Sequence, residues 1–228
     1  MSTVLITGAN RGIGKALVEK FLLQKWRVIA CSREPKQVET DFGSEGNRID
    51  IHHLDVTDQT EVNQLGEFYA NQKIDLLLNV AGIYGPSGLR FGNTPVEPWL
   101  EVFRVNTIAT LKLSEALIES VASSDKKIIA AISSEMGSMT TNQYGNAYLY
   151  RSSKAALNSV VKSMSIDLAE RGVKTIAIHP GWVLTDLGGP DAKVSPQQSA
   201  AGIFKLLTGS NGFKSGGFYD YLGKELPW

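Results

Sequence analysis

TVLITGANRGIG, running from Thr3 to Gly14, is the stretch that decides the fold. A short β-branched, apolar run ends at Gly8, and helical spacing follows at Ile13, Leu17, Phe21 and Leu22. Gly8, Gly12 and Gly14 stand between the two patterns, with Asn10 and Arg11 inside the turn. Glycine there permits positive φ and close backbone approach. The helix start offers unpaired N–H groups and a positive dipole end, which suit a pyrophosphate. The spacing is G-x-x-x-G-x-G rather than the commoner G-x-G-x-x-G. A glycine triplet alone is a weak signal. At the first strand-to-helix turn of a doubly wound pattern it points to a dinucleotide.

That pattern continues outward from the turn. RVIACS reads as a second strand, and the polar segment from Glu34 to Asn47 supports only a short helix behind Pro35. RIDIHHLDV reads as a third strand, and Thr57 or Asp58 can cap the helix QTEVNQLGEFYANQ. IDLLLNVAG is apolar throughout, as a strand covered on both faces should be. Residues 83–95 form a Gly/Pro loop, and one long helix is expected from Val96 to Val121. KKIIAAISS is a fifth strand, and a helix from Tyr148 to Arg171 stops near Gly172. VKTIAIHPG, a helix over Pro196–Leu207 and a terminal strand around GGFYDY complete the chain. Alternating strands and helices predict a single-domain α/β Rossmann fold: a doubly wound, mostly parallel sheet of about seven strands, with helices on both faces. No linker, repeat or low-complexity tract divides residues 1–228.

Composition excludes several function classes. The chain has 228 residues, 43% hydrophobic and 20% charged, an ordinary globular balance. Lys+Arg and Asp+Glu are both 23, so no global basic field points to nucleic acid. No apolar run is long enough to span a bilayer. The N-terminus lacks the layout of a signal peptide, and a cytoplasmic location is expected. Cys31 is the only cysteine and reads as a small buried residue. His52, His53 and His179 come with neither an H-E-x-x-H pattern nor a carboxylate cluster, so no metal site is expected.

The motifs together resemble the short-chain dehydrogenase/reductase family over nearly the whole chain, and within it the sniffer/C-factor type of carbonyl reductase. TGANRGIG resembles the family's cofactor motif. LDVTD resembles its adenine-contacting segment, with Asp55 and Val56 at the adenine. NVAG, containing Asn79, Ala81 and Gly82, resembles N-N-A-G with Val80 replacing the second Asn. Asn106 in RVNTIA, Ser134 in AISSEMG, and Tyr150 and Lys154 in YRSSK stand where the family keeps its catalytic set. HPGWVLTD resembles the segment that meets the nicotinamide, through Pro180, Gly181, Val183 and Thr185. The resemblance implies that Lys154 also bonds the ribose and that Asn106 holds a water linking Lys154 to solvent. Ser133 is the alternative to Ser134. One departure is the gap from Ser134 to Tyr150, longer than usual. Its extra residues fall in MGSMTTNQYGNAYL, expected to cover a substrate pocket. Met136, Tyr144, Tyr84, Trp99 and Trp182 are candidate pocket walls.

These residue types suit carbonyl reduction. The nicotinamide carries the hydride, and the protein supplies orientation and a proton. At i and i+4, Tyr150 and Lys154 share a helix face. Tyrosine has a reference pKa of about 10, and a nearby ammonium together with an oxidised nicotinamide favours the phenolate. Cofactor choice rests on the end of the second strand. NAD-type members of the fold place a carboxylate there for the ribose 2′-OH. Here that position is Ser32, followed by Arg33, with Arg11 on the other side. Two guanidiniums suit a 2′-phosphate, so NADPH is expected over NADH.

The expected partner is a small carbonyl or alcohol substrate. The helices 96–121 and 148–171 could also form a homodimer interface, which the extra loop could obstruct. A different class of function is a regulatory or signalling protein that binds nucleotide with little turnover. The intact Asn106, Ser134, Tyr150 and Lys154 set argues against it, because a binder does not need all four. Substrate identity and direction of reaction are not legible in the loops.

Overall fold

Val4 and Ile6 of β1 (Thr3–Thr7) join the hydrophobic core on one side of a sheet and Leu5 the core on the other, all three fully buried. The structure is a computed structural model and describes residues 1–210 and 212–228. Its strands continue as β2 (Arg27–Ser32), β3 (Ile49–His53), β4 (Leu76–Asn79), β5 (Ile128–Ile132), β6 (Lys174–His179) and β7 (Gly217–Asp220). Among the described residues they form one seven-stranded sheet, ordered β3-β2-β1-β4-β5-β6-β7 and parallel throughout. Helices cover both faces, as the unbroken apolar strands require.

The core against one face gathers Leu17 and Phe21 of α1 (Gly12–Leu23) with Ile203 and Leu207 of α8 (Pro196–Thr208). Phe21 sits edge-on to Trp26 and Phe204, each at 5.0 Å between centroids. Such aromatic pairs add about 0.5–1.5 kcal/mol beyond area burial. The opposite core gathers α3 (Gln59–Tyr69), α5 (Ala109–Ala116) and α7 (Tyr148–Asp167) through Leu65, Leu113 and Leu157. Asp58 caps α3 by accepting from the Thr60 and Glu61 amides. The short helix behind Pro35 is α2 (Pro35–Phe42). Cys31 is wholly buried, and burial pushes its thiol well above the usual range.

The strand order reverses between β1 and β4. A crevice therefore opens beyond their carboxyl ends, where ligands of such sheets bind. Gly8 follows β1 and Val80–Gly82 follow β4 at this point. The two ends are tied together by Thr7, whose hydroxyl accepts from the amides of Val80 (2.9 Å) and Ala81 (3.1 Å).

The expected single helix from Val96 to Val121 is corrected by the structure. It is three pieces: α4 (Val96–Phe103), α5, and α6 (Ile118–Ala122), with a π-helical turn at Arg104–Ile108 and a break at Leu117. Periodicity does not register one wide turn. The turn contains Asn106, whose side chain pairs with the Ile83 backbone in both directions: Ile83 N–H donates to Oδ1 and Nδ2 donates to Ile83 C=O, each 2.8 Å. By contrast α7 forms as expected, with a 3₁₀ turn at Ala169–Arg171 and Gly172 at φ +72°. Among the described residues no helix is long and apolar enough to cross a membrane.

Candidate active site

The glycine turn is shaped to admit a ligand's backbone-hugging group. Gly8 has φ +65°, and a Cβ there would come within 3.2 Å of the Ala81 backbone. A Cβ on Gly14 would stand 2.0 Å from the Gly8 carbonyl oxygen, so α1 packs onto the turn only without a side chain. No side chain caps the start of α1, where Arg11 is the extended N-cap. Its first N–H groups are thus left for a ligand or water. An anion such as a pyrophosphate fits this cradle.

At the end of β2, Ser32 is buried and its hydroxyl accepts from the Glu34 amide at 2.9 Å. Arg33 is exposed. Nearby, the Asp55 carboxylate accepts from the amide and hydroxyl of Thr57, which hold it below the usual carboxylate range. Arg11, expected to face the same ribose as Arg33, pairs through Nη1 with Asp186 at 2.5 Å. Asp186 follows Thr185, whose Cγ2 would lie 3.1 Å from a Cβ on Gly12. The 181–194 loop therefore leans onto the glycine turn from the far side. Gly181 starts that loop at φ +86°, the Pro180 carbonyl accepts from Ser199, and Val183 bridges Val194.

Across the crevice, α7 presents Tyr150 and Lys154, both buried. Lys154 Nζ donates to the Ile132 carbonyl at 2.7 Å. A Cβ on Gly82 would stand 3.3 Å from Asn106 Oδ1 and 3.6 Å from Lys154 Nζ. The ends of β4 and β5, the π turn and α7 thus converge within a few ångströms. Asn106 Nδ2 also donates to Ser153 Oγ at 3.0 Å, so the kinked helix is fixed to α7 one residue before Lys154. Asn79 ends β4 with Nδ2 donating to the Ala130 carbonyl at 3.4 Å.

The two serines take different places. Ser133 Oγ donates to Asn158 Oδ1 at 2.6 Å and is occupied inside the core. The Ser134 hydroxyl accepts from the Met136 amide at 3.1 Å and stands beside the Tyr150 phenol. Burial pushes Tyr150 up to about 12, against a lowering pull from the Ser134 hydroxyl. Burial also drives Lys154 down to about 7. Burial thus outweighs the Ser134 hydrogen bond at Tyr150 and acts against a phenolate.

A cavity of about 210 Å³ adjoins Tyr150, walled by Tyr84, Leu89, Arg90, Asn146, Tyr148 and Leu149 among others. Of the expected walls, Tyr84 is present, its ring 4.9 Å from that of Tyr150. The other four do not line this cavity. Trp99 donates to Ser152 Oγ, Trp182 donates to the Gly188 carbonyl, Tyr144 projects into solvent at 83% exposure, and Met136 offers its carbonyl to Arg151. The extra loop reaches the cavity through its last residues. Gly145, Asn146 and Ala147 are all left-handed, and for Ala147 this conformation costs roughly 1–2 kcal/mol. Arg151 holds the loop by donating to the carbonyls of Gly145 (3.1 Å) and Met136 (3.3 Å). The three histidines have separate partners. His52 meets Tyr69, His53 meets Glu61 and His179 lies 3.9 Å from Glu135.

The family model for short chain dehydrogenases matches residues 2–194. The chain belongs to that family. It is an oxidoreductase of the short-chain dehydrogenase/reductase kind. The C-signal protein of Myxococcus xanthus is 40% identical over 157 residues, covering 68% of this chain and 93% of that protein. An NADPH-bound carbonyl reductase from chicken fatty liver superposes with a TM-score of 0.89 at 34% identity, covering 100% of this chain and 99% of the other. The carbonyl reductase Sniffer of D. melanogaster gives 0.91 at 28% identity, with both chains fully covered. This short-chain dehydrogenase thus resembles carbonyl reductases along its whole length.

Proposed function

We propose that this enzyme, as one cytoplasmic nucleotide-binding domain, reduces a small ketone or aldehyde with NADPH, using Tyr150 as the proton donor. The observation that carries the reading is the convergence of Ser134, Tyr150, Lys154 and Asn106, with Tyr150 also lining a cavity. When bound, the dinucleotide supplies the hydride. Gly8, Asn10, Gly12, Ile13 and Gly14 would receive its pyrophosphate, and Asp55, Val56, Asn79, Ala81 and Gly82 its adenosine and ribose. Pro180, Gly181, Val183 and Thr185 would form the nicotinamide side. Ser32 leaves room for a 2′-phosphate, with Arg33 and Arg11 as its partners.

The protein's own groups then act in turn. The Ser134 hydroxyl donates to the substrate carbonyl oxygen and holds it by the phenol. Tyr150 gives its proton as the oxygen gains charge. Lys154 stabilises the phenolate left behind. The same residues serve alcohol oxidation if the proton runs the other way. A homodimer through α4–α6 and α7 is compatible with exposed Leu100, Ile108 and Ile166.

Tyr150→Phe tests the reading. It removes the donor without removing the ring. Carbonyl-dependent NADPH oxidation should fall by about 10²–10⁴-fold, while NADPH still binds in titration. Retained turnover would overturn the role of Tyr150. A wild-type protein that binds NADPH yet reduces none of a panel of small carbonyls would favour the regulatory nucleotide-binder instead.

A further inference from the structure

Of the eight arginines in the chain, most have found a partner. Arg11, Arg27, Arg48, Arg104 and Arg171 pair with carboxylates, and Arg151 donates to two backbone carbonyls. Among the described residues, two guanidiniums make neither an ion pair nor a hydrogen bond: Arg33 and Arg90. Arg33 stands at the cofactor end, where a 2′-phosphate would meet it. Arg90 lines the cavity that Tyr150 also lines.

The cavity's composition sharpens this difference. Its ten lining residues come from two segments, Tyr84, Pro86, Gly88, Leu89 and Arg90 from one and 146–150 from the other. None is Asp or Glu, so the only formal charge on the walls is positive. Tyr84, Pro86, Leu89 and Leu149 make the remainder largely apolar or aromatic. The backbone carrying Arg90 is fixed. Its amide donates to Asn93 Oδ1 at 2.5 Å, and its carbonyl accepts from the Asn93 amide at 3.1 Å. An unpaired side chain thus extends from a tied turn that lines the cavity. An arginine offers planar, paired donors that suit a carboxylate.

We infer that the substrate is a small carbonyl compound bearing a carboxylate, and that Arg90 binds the carboxylate while Tyr150 and Ser134 address the carbonyl. The inference rests on the reductase reading of the same site. It adds a charge requirement which that reading does not contain. The hydride comes from NADPH to the carbonyl carbon and the proton from Tyr150 to the oxygen. The carboxylate is unchanged.

The test uses 4-acetylbenzoate and 4-acetylbenzamide, which share a ring and a ketone and differ by one charge. Steady-state kcat/KM and calorimetric affinity are measured for both, with the wild-type enzyme saturated with NADPH for rates and with NADP+ for binding. The wild type should prefer the acid by about tenfold, mainly through KM, and the preference should shrink as salt rises. Arg90→Gln should remove the preference. Equal treatment of acid and amide by the wild type, in rate and in binding, overturns the inference. So does a preference that survives Arg90→Gln in a variant whose circular dichroism shows it folded. A wild type that binds the acid tenfold tighter yet reduces neither compound upholds Arg90 and sinks the reductase reading. Reduction of both at equal rates does the reverse.

Discussion

Arg11 and Asp186 are 175 positions apart in sequence and 2.5 Å apart in space, an ion pair across the mouth of the nucleotide crevice. The arginine belongs to the glycine turn and the aspartate to the loop after β6. If Arg11 takes a 2′-phosphate as proposed, Asp186 competes for the same guanidinium. Both side chains are well exposed, at 65% and 80%, so the pair is worth at most about 1 kcal/mol. Asp186→Asn should tighten NADPH binding by up to about fivefold and leave NADH unchanged. Fluorescence titration with both nucleotides at low salt reads this directly. An equal gain for both would mean that Asp186 acts by opening the loop and not by competing for Arg11.

The second expectation separates the adjacent serines. Ser134→Ala should lower kcat by about 10²-fold or more, the cost typical of removing an oxyanion donor. Cofactor affinity should stay as it is. Ser133→Ala instead strips Asn158 Oδ1 of its donor in the core, where Asn158 Nδ2 is already without a partner. It should cost about 1–3 kcal/mol of stability with a much smaller loss of kcat. Urea denaturation beside single-turnover kinetics distinguishes them. The reverse pattern would move the catalytic assignment to Ser133.

Local signals explain which parts of this molecule were legible. The β1–α1 turn is written in consecutive residues, because only glycine tolerates a Cβ site 2.0 Å from a carbonyl oxygen. Tyr150 and Lys154 are legible for the same reason, as i and i+4 on one helix. The π turn is not local. It coincides with Asn106 pairing with Ile83, 23 residues away. Four of the five expected walls do not line the cavity, for a related cause. Bulk and polarity nominate Trp99, Trp182 and Tyr144. Side-chain direction, however, depends on hydrogen bonds such as that of Trp99 to Ser152, 53 residues away. Arg90 carried a readable charge within the Gly/Pro loop, but only the cavity beside it gives the charge a meaning.

The extra loop has a brace at its other end. The Trp228 carbonyl oxygen accepts from the Thr140 amide (2.9 Å), the Thr140 hydroxyl (2.8 Å) and the Ser138 hydroxyl (3.1 Å). The Trp228 ring stacks on Phe218 at 5.7 Å. Trp228→Ala removes the stack and should free the brace. The ring is partly exposed, so roughly 1–3 kcal/mol should be lost, less than the 3–5 typical of a buried Trp. Amide exchange over residues 136–141 should accelerate, and KM for the carbonyl should rise more than KM for NADPH. Unchanged exchange in that loop would show that the tail holds only β7.

The buried ammonium of Lys154 makes a prediction about pH. Burial lowers its folded pKa from 10.5 to about 7. Below pH 7 both the folded and unfolded chains carry the proton, and the full cost of burying the charge opposes folding. Between about pH 7 and 10.5 the unfolded lysine keeps its proton while the folded one has released it. The unfolded state then binds more protons, so stability rises with pH across that window. Lys154→Met removes the group and its slope, while all other titrating groups remain. Without nucleotide, the variant should exceed the wild type in stability most at pH 6, and the advantage should shrink steadily toward pH 10. Chemical denaturation of both proteins at several pH values gives the difference. A constant gap from pH 6 to pH 10 would show that Lys154 stays charged in the folded protein, held by the Ile132 carbonyl 2.7 Å away.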